Sequence, residues 1–268
     1  MTLLRALALL AASLLPLPLA AQAALSDLVR LTVLDGGQTP DGRHQAALRL
    51  DLAEGWKTYW RAPGNAGIPP SFTWRGARNV GAVAVTWPTP VVFDQSGLRS
   101  VGYSGVLVLP LTVTPKRAGG PLRLAGQLDF GICREVCIPA RLDFAQDLDP
   151  AAPRNPAIAA ALAARPYSAP EAGVTRATCR IEPMPDGLRV TARLTLPPTG
   201  GSEYAVIEPG LPGVWASEAT VARSGQTLTA TSEMIHIEGA PFALDRGAVR
   251  ITVLGSARAV DIRGCSAE

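Results

Sequence analysis

The chain has 268 residues, enough for two ordinary domains with a core in each. Its 25 Lys and Arg against 22 Asp and Glu leave a formal charge of +3, carried almost entirely by scattered Arg, with Lys57 and Lys116 the only lysines. No basic cluster and no Gly-rich phosphate cradle is present, which argues against nucleic acid and nucleotides as partners.

Residues 1–23 hold one Arg (Arg5), then an apolar run broken by Pro16 and Pro18, then the small-x-small site Ala21-Gln22-Ala23. That order is expected of a secretory signal peptide cleaved near Ala24. A membrane anchor needs about 20 uninterrupted apolar residues. The mature chain is therefore expected to be exported and soluble in a bacterial periplasm, with no membrane span after signal removal.

From about residue 24 to residue 150 short segments alternate between apolar and polar side chains. VRLTVL, HQAALRLDL, VAVTW, VLVLPLTV, LRLAGQLDF and ARLDFAQDL are separated by Gly, Pro, Asn or Asp. Period-two runs at this spacing predict an antiparallel β-sandwich. Residues 151–173 read as a Pro/Ala-rich linker containing one short helix. Asn155 is its expected cap, Pro156 its first residue, and Pro166 and Pro170 prevent its continuation. Strand patterns resume in TRATCRIEPM, GLRVTARLTL, EYAVIE, QTLTATSEMI, AVRITVL and AVDIRGC, which predict a second β-sandwich over residues 174–268. The expected fold is all-β, two antiparallel sandwiches in series. His44 and His236 lie far apart with no Cys or carboxylate pattern beside them, and read as ordinary strand residues rather than metal ligands.

The four cysteines form two unlike pairs. Cys179 lies in the first strand of the second domain and Cys265 follows its last, so a bridge would tie the domain's ends together. Closing that loop of some 87 residues contributes about 4.6 kcal/mol on the chain-entropy model, which marks a structural staple. Cys133 and Cys137 flank Arg134-Glu135-Val136 between two alternating runs, as at the mouth of a hairpin. Facing Cα atoms there come within disulfide range. Closing so short a loop contributes only about 2 kcal/mol. Spacing alone leaves three readings open for this pair: a staple, an exchangeable redox pair, or a soft-metal site for Cu(I). Zinc would need two further N or S ligands, and no His or third Cys is near in sequence.

Three strings then appear in order: EGWKTYWRAPGNAGIPPSFTW, VTWPTPVVFDQSGLRSVGYSGVLVLPLTV and CREVCIPA. Together they resemble the N-terminal periplasmic domain of the membrane thiol-disulfide interchange reductases, the DsbD type. The three-residue cysteine spacing is closer to the ScsB branch, linked to suppression of copper sensitivity. EYAVIE, LDRGAVRITVLG and the terminal GC of the second domain resemble that branch too. The resemblance implies immunoglobulin-like domains and a Cys133–Cys137 redox pair that works without a cofactor. The pair would take electrons from a membrane donor of the DsbD/CcdA kind and reduce periplasmic thioredoxin-fold proteins, with Cys137 the attacking thiol by the family's habit. Relatives of this type usually continue into a membrane domain and a thioredoxin-like domain, so the donor is expected to be a separate protein. The resemblance also places a protective cap loop near Asp94 to Gly102, with Phe93, Asp94, Leu98 and Tyr103 as shielding residues. The family's aromatic pair over the disulfide is absent there. Trp56, Tyr59 and Trp60 match an aromatic strand near the site, with core packing as their expected role and a part in function as the alternative. Two other functions use the same cysteines: a Cu(I)-binding, copper-tolerance module, or a non-catalytic interaction module with two structural disulfides.

Overall fold

The structure, a computed structural model, describes residues 25–65, 67–95 and 97–268. The expected signal peptide lies outside the described residues. Among the described residues no helix is long and apolar enough to cross a membrane.

The first domain opens with a single helical turn, α1 (Leu25–Leu28), followed by ten strands. These are β1 (Val29–Gln38), β2 (His44–Leu52), β3 (Lys57–Tyr59), β4 (Ser71–Thr73), β5 (Val80–Val85), β6 (Val91–Gln95), β7 (Leu98–Ser104), β8 (Val106–Pro115), β9 (Leu122–Cys133) and β10 (Cys137–Leu148). One sheet runs β1-β2-β8-β5, and the other β10-β9-β3-β7-β6 with β4 also on β9. The alternation seen in sequence becomes the core. Ala46, Leu48 and Leu50 of β2 and Leu107, Leu109, Leu111 and Val113 of β8 face Leu124, Leu128, Phe130 and Ile132 of β9. Every second residue of each strand points inward, and each fully buried Leu or Ile contributes about 1.5–3 kcal/mol.

The linker is docked rather than loose. In α2 (Pro156–Ala163), Pro156 sits in the first turn and the Asn155 side chain accepts from the Ala157 N–H at 3.0 Å. Ile158 and Ala161 are buried as the helix packs on β2 and β8. An added Cβ at Gly36 would lie 3.1 Å from Ile158 Cδ1, so the small residue there lets the helix approach. Past the helix, β11 (Tyr167–Ser168) joins the second domain by parallel pairing to β19 (Ala259–Arg263).

The second domain adds β12 (Arg176–Met184), β13 (Gly187–Thr195), β14 (Tyr204–Glu208), β15 (Val214–Ala216), β16 (Thr220–Ser224), β17 (Thr227–His236), β18 (Arg250–Leu254) and β20 (Ser266–Ala267). Its sheets run β11-β19-β18-β14 and β15-β17-β13-β12-β20, with β16 also on β17. Val190, Ala192 and Leu194 pack with Leu228, Ala230, Ile251, Val253 and Val260. The chain is thus all-β, with two immunoglobulin-like sandwiches. Cys179, fully buried in β12, is bonded to Cys265 with a Cα separation of 5.6 Å.

The two domains meet over β3 and β7. Arg61, two residues beyond β3, donates to both carboxylate oxygens of Glu208 at 3.0 and 2.8 Å and to the Thr252 hydroxyl at 3.1 Å. Arg99 of β7 pairs with Glu218, and its guanidinium sits 5.1 Å from the centre of the Tyr204 ring. Tyr204, Leu254 and Ala259 pack against the first domain's core. Burial pushes the Tyr204 phenol up to about 12, with Glu218 adding to the shift and Arg99 opposing it.

Candidate active site: the Cys133–Cys137 hairpin

Strands β9 and β10 pair from Leu122↔Leu148 to Cys133↔Cys137, and the three residues between the cysteines close the hairpin. The Arg134 N–H donates to the Val136 carbonyl at 3.3 Å within that turn. The cysteines are bonded, their Cα atoms 4.1 Å apart. Their exposure is unequal: Cys133 is 1% exposed, whereas Cys137 faces solvent. Around Cys137 stand exposed apolar side chains of the same hairpin, Val136 at 69% and Ile138 at 38%.

Register explains what lies beside the sulfurs. Lys57 of β3 is directly opposite Cys133 of β9, and Thr58 opposite Ile132. Ile132 faces the core, so Lys57 and Tyr59 share the outer face with the cysteines. The Tyr59 hydroxyl donates to Cys133 Sγ at 2.8 Å and lies 3.1 Å from Cys137 Sγ. Burial pushes the Tyr59 phenol up, which keeps its proton in place as a donor. The ring is clasped between two glycines. An added Cβ at Gly131 would come 3.0 Å from the ring and 2.8 Å from Ile68, and one at Gly67 would come 2.8 Å from the ring. Glycine inside a strand at 131 therefore marks a close approach.

Lys57 is 6% exposed. Its Nζ donates to Gln95 Oε1 at 2.5 Å and to Ser100 Oγ at 3.3 Å, and sits 4.9 Å from the centre of the Phe93 ring. Gln95 in turn donates from Nε2 to the Arg134 carbonyl at 3.2 Å. One amide thus ties the β6–β7 tip both to β3 and to the cysteine hairpin.

The segment where the cap loop is expected forms a strand hairpin. Residues 94–102 lie mostly in two strands, β6 and β7, paired from Val91↔Gly102 to Gln95↔Leu98. The composition gave little strand signal because β7 takes its hydrogen bonds from neighbours on both sides, β3 and β6. Asp94 accepts from the Gly97 N–H at 3.1 Å and so shapes the tip, while Leu98 stands 61% exposed on it. Phe93 packs against Lys57. Tyr103 pairs with Thr58, faces the core at 8% exposure, and donates to the Pro88 carbonyl at 2.7 Å. Of the three expected near-site aromatics, Tyr59 reaches the sulfurs. Trp60 is fully buried in the core, and Trp56 is half-buried with the Arg134 guanidinium 5.5 Å from its ring centre.

Residues 31–148 match the family model described as "Thiol:disulfide interchange protein DsbD, N-terminal". The first domain is a DsbD-type N-terminal domain. The matched span contains the cysteine hairpin, Tyr59 and the β6–β7 tip of this DsbD-type domain. Across both domains the fold is similar to the N-terminal periplasmic domain of ScsB from Proteus mirabilis. The TM-score is 0.70 at 20% identity, covering 92% of this chain and 96% of that one. The reduced N-terminal domain of Neisseria meningitidis DsbD is also matched, at 20% identity and a TM-score of 0.27, over 48% of this chain and 90% of that one. No curated protein matches the chain.

Lys57, Gln95, Gly67 and Gly131 of this DsbD-type domain were not singled out by the sequence analysis. Two of them left a signal. Lys57 is a lone charge among Trp56, Tyr59 and Trp60, and Gly131 interrupts a strand two residues before a cysteine.

Proposed function

We propose that the chain is a periplasmic thiol-disulfide relay working through Cys133 and Cys137. A membrane donor's thiolate attacks Cys137 Sγ, the Cys133–Cys137 bond breaks, and its electron pair leaves on Cys133. The donor's second thiolate then attacks its own sulfur in the mixed disulfide and releases Cys137. The reduced pair passes its two electrons to a thioredoxin-fold client when Cys137 attacks the client disulfide and Cys133 resolves the mixed disulfide. The observation that carries this reading is the unequal exposure of one bonded pair at a hairpin tip. A partner's sulfur can reach Cys137, while the buried Cys133 is held beside the Tyr59 hydroxyl, where a leaving thiolate gains a hydrogen bond. A five-residue loop adds only about 2 kcal/mol to stability, so its opening costs the fold little.

The test is to express Cys133→Ser and Cys137→Ser variants in a periplasm and look for mixed disulfides. Cys133→Ser leaves the exposed Cys137 without a resolving thiol and is expected to accumulate a covalent adduct with a thioredoxin-fold protein. Cys137→Ser is expected to accumulate none. No adduct with either variant would defeat the proposal.

A further inference from the structure

Lys57 is a buried cation whose polar partners are neutral. Gln95, Ser100 and the Phe93 ring surround its ammonium. Among the described residues no carboxylate lies within ion-pair distance of it. The other charged groups bordering the same cavity of about 450 Å³ are Glu54, Asp94 and Arg134. Asp94 accepts from the Gly97 N–H, and the Arg134 guanidinium lies over Trp56. Burial pulls the ammonium's pKa down, the direction expected of a charge that folding has left uncompensated. Buried charges are ordinarily paired, because an unpaired one costs stability.

The missing negative charge is one the disulfide form does not contain. Lys57 and Cys133 are directly opposed across the β3–β9 ladder. Residues so placed on one face have Cβ atoms about 4.5–5.5 Å apart. Nζ is also two hydrogen bonds, through Gln95, from the Arg134 carbonyl that follows Cys133. When the Cys133–Cys137 bond opens, a thiolate forms on Cys133, at a position shut off from water. A fixed charge that meets its complement only then favours the reacting state over the resting one.

We propose that Lys57 is a positioning residue for thiol exchange, held by Gln95 and Ser100 so that its ammonium stabilises the Cys133 thiolate released when a partner thiolate takes Cys137. This deepens the relay reading and rests on it for its role in turnover. Atoms and electrons balance without a further reactant. The incoming sulfur bonds to Cys137, the electron pair of the broken bond stays on Cys133, and Lys57 keeps its proton.

The test uses the full mature chain. In a Cys137→Ser background the Cys133 thiol is titrated by its thiolate ultraviolet absorbance, and Lys57→Met is expected to raise its pKa by about one unit. With both cysteines present, the same substitution is expected to slow reduction of the hairpin by dithiothreitol about three-fold, since a more basic thiolate leaves more slowly and exchange rates follow thiol pKa with a fractional slope of about 0.5. Lys57→Arg is expected to restore both values, which a purely structural role would not require. Should Lys57→Met fail to give a native near-ultraviolet spectrum, Lys57→Gln, neutral and still able to hydrogen-bond, carries the same readouts. A folded neutral variant with an unchanged Cys133 pKa and unchanged rate would overturn the proposal. A wild-type hairpin that no dithiol reduces would instead overturn the relay, while the Cys133 titration would still judge Lys57.

Discussion

The Tyr59 hydroxyl donates to the buried Cys133 sulfur and lies within 3.1 Å of the exposed Cys137 sulfur, so one phenol spans both ends of the bond. Its ring is fixed by Gly131 on the strand and Gly67 on the loop, and its proton is kept by burial. Removing the hydroxyl alone leaves the ring's packing in place. Tyr59→Phe is therefore expected to fold normally yet to slow hairpin reduction roughly ten-fold or more, since hydrogen bonds to charged groups contribute about 1.5–3 kcal/mol. Stopped-flow reduction with a dithiol checks this. An unchanged rate would mean that the phenol only packs.

Gly131→Ala tests the clasp from the other side. The new methyl would meet Ile68 at 2.8 Å and the Tyr59 ring at 3.0 Å, with neighbouring strands on both flanks limiting relief. Overpacking of this kind costs about 1–3 kcal/mol. Urea unfolding of the first domain is expected to show that loss, together with slower exchange because the phenol is displaced. A stability equal to wild type would show that the loop at Ile68 yields freely.

The second disulfide is expected to behave differently from the first. Cys179 is fully buried, and its bond joins β12 to Cys265, 86 positions later and just before β20. Removing a native bridge of this kind typically costs about 2–5 kcal/mol. Replacing both residues with Ala is expected to lower the second domain's unfolding midpoint and to leave reduction of the Cys133–Cys137 hairpin unchanged. A peptide map joining either of these cysteines to the hairpin pair would contradict that division.

Acid sensitivity of the second domain is expected to centre on Glu203. Burial raises its pKa, but the Arg223 guanidinium and the N–H and hydroxyl of Thr199 outweigh that and hold it at about 2. A carboxylate depressed from its ordinary 4.5 stabilises the fold fully above that value and loses its contribution as pH falls from 4.5 towards 2. The loss amounts to about 3 kcal/mol at most. Glu203→Gln is expected to lower stability at neutral pH and to flatten the acid limb of a stability–pH curve. An acid limb as steep as that of wild type would place the effect on another carboxylate.

Much of this was legible in the chain itself. Alternation in HQAALRLDL and VLVLPLTV revealed β2 and β8 because their inward residues are uniformly apolar. Asn155-Pro156 revealed a helix start because capping is local chemistry. The hairpin could be read from the flanks of Cys133 and Cys137 for the same reason. What could not be read depends on partners remote in sequence. β7 is a strand because β3 and β6 flank it, and its own Ser and Gly residues carry no alternation of apolar side chains. Tyr103 faces inward because it pairs with Thr58, a fact of register that no local pattern reveals. Lys57 becomes a buried cation only once the β6–β7 tip folds over it, 38 residues further along the chain.

The reduction potential of the Cys133–Cys137 bond, measured with both domains present by equilibration with a thioredoxin-like protein of known potential, tests the relay most directly. The buried leaving sulfur, the exposed attacked sulfur and the small loop require a bond that exchanges readily, with a potential well above about −300 mV. A value below that line, with the hairpin still oxidised after equilibration, would make this pair a staple like Cys179–Cys265 and contradict the relay.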